Sequence, residues 1–144
     1  MVTRAFEPWE REAEDYALIN GIMEGASRQF PFPIETEVEK TEPPIALLTA
    51  RENDETWIIS ARGARNQPDG VFVTYDVFDA EGVFVRQVQL ACEGDGRRDG
   101  VFFLNDRVLV VRGLLDALSA QMGGAAETEE EPAPIEVVCF RIVD

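Results

Sequence analysis

One pattern occurs twice in this chain, about fifty residues apart, and it limits the available folds more than any other feature. Asn53-Asp54-Glu55-Thr56-Trp57-Ile58-Ile59-Ser60-Ala61-Arg62-Gly63 matches Asn105-Asp106-Arg107-Val108-Leu109-Val110-Val111-Arg112-Gly113. Each copy is a turn, an apolar run of strand length, then Arg-Gly. The offset is 52 at the Asn and 50 at the Gly. An apolar run precedes each copy, Ile45–Ala50 in one and residues 101–104 in the other. A third match follows, Tyr75-Asp76-Val77-Phe78-Asp79 with Phe140-Arg141-Ile142-Val143-Asp144, at an offset of 65. The extra residues of the second copy fall at 114–134. There Leu114-Leu115-Asp116-Ala117-Leu118 reads as a helical turn, and 127–134 as an exposed acidic loop.

The residues around the repeat read as β structure. Pro43-Pro44 opens the region. Ile45–Ala50 is a first strand and ends at the turn residues Glu52-Asn53-Asp54. Residues 56–61 form a second. A polar loop closing on Pro68-Asp69-Gly70 leads to a third at 71–79, and Ala80-Glu81-Gly82 turns into a fourth at 83–91. Short strands joined by short turns predict an antiparallel meander. A period near fifty with up to four strands per copy predicts β-propeller blades. A lone sheet with two apolar faces cannot bury both, so such units stack. The expected fold is therefore mainly β: two consecutive antiparallel β-propeller-like blades with an N-terminal helix. The first blade, about 43–92, has four strands. The second, about 97–144, is incomplete with three, and it stops where the first turns into its outermost strand.

The stretch from Trp57 to Gly63, followed by Tyr75-Asp76-Val77-Phe78-Asp79-Ala80-Glu81-Gly82-Val83-Phe84-Val85-Arg86-Gln87-Val88, resembles the blades of bacterial six-bladed β-propeller proteins of the NHL-like kind. The shared elements are a turn before an aromatic-aliphatic strand and an Asp-x-x-Gly turn between the two outer strands. Pro43-Pro44-Ile45 resembles the approach to a late blade. Cys92-Glu93-Gly94-Asp95-Gly96, then Asp99-Gly100-Val101-Phe102-Phe103, resembles the passage into a last one. The resemblance implies the C-terminal blades of such a protein. It implies a scaffold and not one activity, since propellers host many functions. A closed propeller has at least four blades, so two blades leave three expectations open: a monomer capped by its own N-terminal segments, a ring of several chains, or a piece of a longer protein. In the capped form, residues 2–6 or 34–38 extend a sheet edge.

Residues 1–42 form an acidic helix and linker, and 43–144 the two-blade domain with the acidic loop inserted at 114–134. Pro8 suits a first helical turn and Gly25 a helix end. Trp9, Ala13, Tyr16, Ala17, Asn20 and Met23 recur between them at helical spacing. Docking on its own domain is the expected role of this helix, and binding a partner the alternative. Phe30-Pro31-Phe32-Pro33 opens the linker.

Asp and Glu number 28 against 13 Lys and Arg, for a formal charge of -15. That balance argues against nucleic acid and anionic membranes as partners. With no His, Ser-His-Asp triads and His-ligated metals are excluded. The N-terminus carries no signal-peptide pattern, which predicts a cytoplasmic protein unless a longer parent is exported. Cys92 and Cys139 are expected as free thiols, although a bond between them would contribute about 4 kcal/mol in the chain-entropy model. No catalytic residue, metal site or cofactor is expected. The binding candidates are Arg62, Arg65 and Asn66, on a loop whose two guanidinium groups suit an anion or the surface acids. Glu93, Asp95 and Asp99, on a Gly-rich loop, suit Ca²⁺ or an ordinary turn. Two functions follow. One is a non-catalytic interaction or structural module with a protein partner or self-association through sheet edges. The other is a Ca-dependent, lactonase-like propeller hydrolase or a fragment of one.

Overall fold

A computed structural model describes residues 7–122 and 134–142. The protein is mainly β, with two antiparallel sheets and two helices among the described residues: α1 (Ala13–Ser27), β1 (Ile45–Ala50), β2 (Thr56–Ser60), β3 (Val73–Phe78), β4 (Phe84–Leu90), β5 (Gly100–Leu104), β6 (Arg107–Arg112), α2 (Leu114–Gln121) and β7 (Glu136–Arg141). Its contacts fall into two units. The first joins Met1–Trp9 to Thr41–Arg97, and the second joins Glu10–Lys40 to Arg98–Asp144.

The first unit holds a four-stranded meander in chain order, β1-β2-β3-β4. Alternation dictates its core. On β2, Trp57 and Ile59 are buried, and on β3 so are Val73, Tyr75 and Val77. The register sets Trp57 opposite Val77, and the Trp57 and Tyr75 rings meet at 5.4 Å. Each such side chain contributes about 1.5–3 kcal/mol by leaving water. Asp79 forms the β3–β4 turn: its carboxylate accepts the N–H groups of Glu81 at 3.1 Å and Val83 at 2.8 Å, and Gly82 takes φ +76°.

The second unit holds a three-stranded meander, β5-β6-β7, again in chain order. Val108 and Val110 of β6 are buried, opposite Phe140 and Val138 of β7. α1 packs against α2. The first helix begins at Ala13, four residues later than Pro8 and Trp9 suggest. Trp9 is extended instead, and its carbonyl accepts the Glu42 N–H at 2.9 Å. The helix starts where Asp15 reaches back to accept the Glu12 N–H at 2.8 Å. Gly25 is buried inside α1 rather than ending it.

The two copies of the repeat are β2 and β6 with their turns. Their buried residues correspond at an offset of 51, Trp57 to Val108 and Ile59 to Val110. The left-handed turn residues keep the same offset, Asp54 at φ 62° and Asn105 at φ 52°. Phe140 stands opposite Val108 as Val77 stands opposite Trp57, an offset of 63. The sequence match at 65 thus slips the third strand by two residues, which keeps the same side chains inward. The two Arg-Gly pairs are not structural equivalents. A Cβ on Gly63 would lie 2.3 Å from the Thr74 carbonyl oxygen, whereas Gly113 has open space and φ +69° at the start of α2. The helical turn expected at 114–118 extends to Gln121. The acidic run at 127–133 and the strand candidate at 2–6 lie outside the described residues. Residues 34–38 belong to neither sheet.

Candidate binding surface

Arg62, Arg65 and Asn66 share one loop at the end of β2, and the chain treats them differently. Gln67 braces the loop: its Nε2 donates to the carbonyls of Arg62 and Arg65, each at 2.8 Å, and its Oε1 accepts from the Thr74 hydroxyl. Asn66 is exposed with φ 50°, a conformation Asn tolerates better than most residues. Arg65 is buried, and its guanidinium pairs in two-pronged fashion with the Glu42 carboxylate, Nε to Oε2 at 3.2 Å and Nη2 to Oε1. Arg62 is exposed and reaches Glu7 at 3.4 Å. Both guanidinium groups lie over the Trp9 ring, at 5.4 and 5.6 Å from its centroid. The charge of Arg65 therefore goes to Glu42, and the ring that collects both arginines comes from the N-terminal segment. Glu42 stands 23 residues before Arg65, and no local spacing announces the pair.

A second polar cluster sits on the same sheet. Glu55 accepts from Arg86 Nη1 at 2.5 Å and Nη2 at 3.0 Å and from Trp57 Nε1 at 2.9 Å. The Arg86 bonds, with those from Trp57 and Asn53, hold its carboxyl at about 2, well below the ordinary 4.5. Arg51 lies over the Trp57 ring at 5.2 Å. Burial pushes the Tyr75 hydroxyl above the ordinary tyrosine range.

The acids of the Gly-rich loop work on the backbone. Asp95 accepts the Arg97 N–H and Asp99 the Gly113 N–H, at 2.9 and 2.8 Å. Among the described residues no three His, Cys, Asp or Glu side chains gather as a metal would require. Cys92 and Cys139 are not joined by a disulfide. No helix among the described residues is long and apolar enough to cross a membrane.

The outer strands of both sheets carry the most exposed apolar surface. On β1, Ile45, Leu47 and Leu48 are exposed, and on β4, Phe84 and Val85. In the second unit Phe102 and Leu104 of β5 and Val137 of β7 are exposed, Val137 to 60 %. The register puts Phe102, Leu104, Leu109, Val137 and Cys139 on one face of that sheet, opposite the face of Val108 and Val110. Comparisons with protein-family models, with curated proteins and with solved structures find no match.

Proposed function

We propose that this chain is a non-catalytic interaction or structural module, built from two consecutive blades of β-propeller type. Its working surface is the apolar area of its outer strands. The observation that carries this reading is the exposure of Leu48, Phe84, Phe102, Leu104 and Val137 on strands that end their sheets among the described residues. Edge strands of free-standing proteins are ordinarily blunted by charge, proline or cover, and contiguous apolar patches ordinarily meet a partner. β1 carries no charged residue at all. The propeller part of the proposal is supported by two meanders in chain order with matching buried positions. The polar clusters support a structural role for Arg65, Glu42 and Glu55, because each spends its charge within the sheet unit.

An apolar dye whose fluorescence rises on binding tests the proposal. It is expected to bind the folded chain, and Phe102→Ser with Leu104→Ser is expected to remove much of the signal without lowering the melting temperature greatly. A folded chain that leaves the dye dark overturns the reading. Calorimetric titration with Ca²⁺ is expected to give no heat, and EDTA no melting shift. A saturable heat with a melting shift would replace the module with a metal-dependent enzyme.

A further inference from the structure

Residues 34–40, Ile-Glu-Thr-Glu-Val-Glu-Lys, alternate like a strand yet lie in neither sheet. Ile34, Thr36, Val38 and Lys40 fall on one side of an extended chain, and Glu35, Glu37 and Glu39 on the other. Residues 33–37 are exposed. Among the described residues, 34–38 make no main-chain hydrogen bond. Among the described residues its main-chain bonds lie at its end, where Arg11 donates to the carbonyls of Glu39 at 3.0 Å and Lys40 at 2.9 Å.

The second sheet has an edge that matches it. Among the described residues β7 bonds to β6 alone, while its counterpart β3 in the first sheet is flanked by a fourth strand, β4. β7 reads Glu136-Val137-Val138-Cys139-Phe140-Arg141, with Ile142 next. Laid antiparallel to 34–40, one register pairs every charge at its ends. Glu136 meets Lys40 and Arg141 meets Glu35. Between them Val138 meets Val38, and Phe140 meets Thr36. Ile142 meets Ile34, and Cys139 meets Glu37. The apolar pairs fall on the face of Val108 and Val110. The three glutamates fall on the opposite face, which carries Arg107 and Arg141 together with Val137 and Cys139, and there Glu39 meets Val137. Arg107 and Arg141 stand directly opposite each other, a like-charge pair that Asp106 offsets at 3.2 Å from Arg141. Glu35 would supply a second counter-charge.

We infer that residues 34–40 of one chain add to the β7 edge of a second copy as its fourth strand, and that two copies exchange these segments reciprocally. Reciprocal exchange closes the assembly as a two-fold dimer, since each chain gives one segment and offers one edge. It rests on the interaction-module reading for its premise that the open edges are functional, and it names the partner. The main-chain bonds supply the attraction, and the charge pattern sets the register. Net repulsion between two acidic chains is screened beyond roughly 10 Å, whereas the paired charges at the contact lie inside that range.

The test uses the whole chain. In a Cys92→Ser background, Glu37→Cys places a thiol opposite the native Cys139 of the other copy, at a spacing a disulfide spans. Diamide is expected to convert this variant to a covalent dimer on a non-reducing gel, while Thr36→Cys, on the other face, stays largely uncrosslinked. Light scattering of the Cys92→Ser chain is expected to give twice 16.1 kDa at high micromolar concentration. Arg141→Glu is expected to raise the dimer dissociation constant about tenfold or more, and Arg141→Glu with Glu35→Arg to restore it. A monomer at all concentrations overturns the inference, and so does an intrachain disulfide in the Glu37→Cys variant or a dimer indifferent to the charge swap. The dye test above separates these failures from failure of the interaction module itself, because a monomer that still binds dye keeps its open apolar surface.

Discussion

The two sheets share a plan and differ in how they are finished. Both are meanders in chain order, and both bury alternate residues of their second strand, Trp57 and Ile59 in one, Val108 and Val110 in the other. The first fills its interior with a tryptophan and a tyrosine and locks a loop beside it through Arg65, Glu42 and Trp9. The second buries Val108 and Val110, shows three strands among the described residues, and pairs its charges where water reaches them. The repeat keeps the inward pattern of a strand, while the residues around it decide how that unit is finished.

Deleting interior volume separates the sheets most strongly. Tyr75→Ala is expected to cost about 3–5 kcal/mol in urea unfolding, and Val138→Ala, at the matching place on β7, about 1–2 kcal/mol. Equal losses would break the contrast. Next come the ion pairs. Glu42→Gln, which removes the carboxylate beside buried Arg65, is expected to cost about 3 kcal/mol. Glu136→Gln, at the exposed pair with Arg112, is expected to cost under about 1 kcal/mol. Thermal unfolding of the two variants side by side reads the difference.

The Arg-Gly pairs set the two units apart again. Gly63→Ala pushes a Cβ into the Thr74 carbonyl and is expected to cost about 2 kcal/mol, while Gly113→Ala meets only its left-handed φ, about 1 kcal/mol. Asn in place of Gly is expected to recover much of the loss at 113 and none at 63. The smallest effect is one of pH. Glu55 titrates at about 2 in the folded chain against an ordinary 4.5. The stability it contributes is fully present above 4.5 and fades as pH falls toward 2. Urea midpoints taken from neutral pH to about pH 3 are expected to fall less in Glu55→Gln than in the unaltered chain.

Much of this fold was legible in the sequence because strand alternation and turn chemistry are local. Val73, Tyr75 and Val77 announce their inward face, and Asp79 with Gly82 announces a turn. The start of α1 was not legible. Pro8 and Trp9 satisfy helical spacing, but a bridge to Glu42, 33 residues on, holds Trp9 extended. The candidate loop was half legible for the same reason. Two arginines among polar residues mark a charged loop, but only the fold brings Glu42 and Trp9 to Arg65. The repeat itself misaligned β7 by two residues, because a two-residue slip preserves which side chains face inward.

Nuclear Overhauser contacts across the strands test the shared plan most directly. Two meanders with one register require Trp57 opposite Val77 and Phe140 opposite Val108. Cross-strand contacts at both pairs are the expected result. Contacts that set Ile142 opposite Val108, or a β7 segment with no contact to β6, would contradict it.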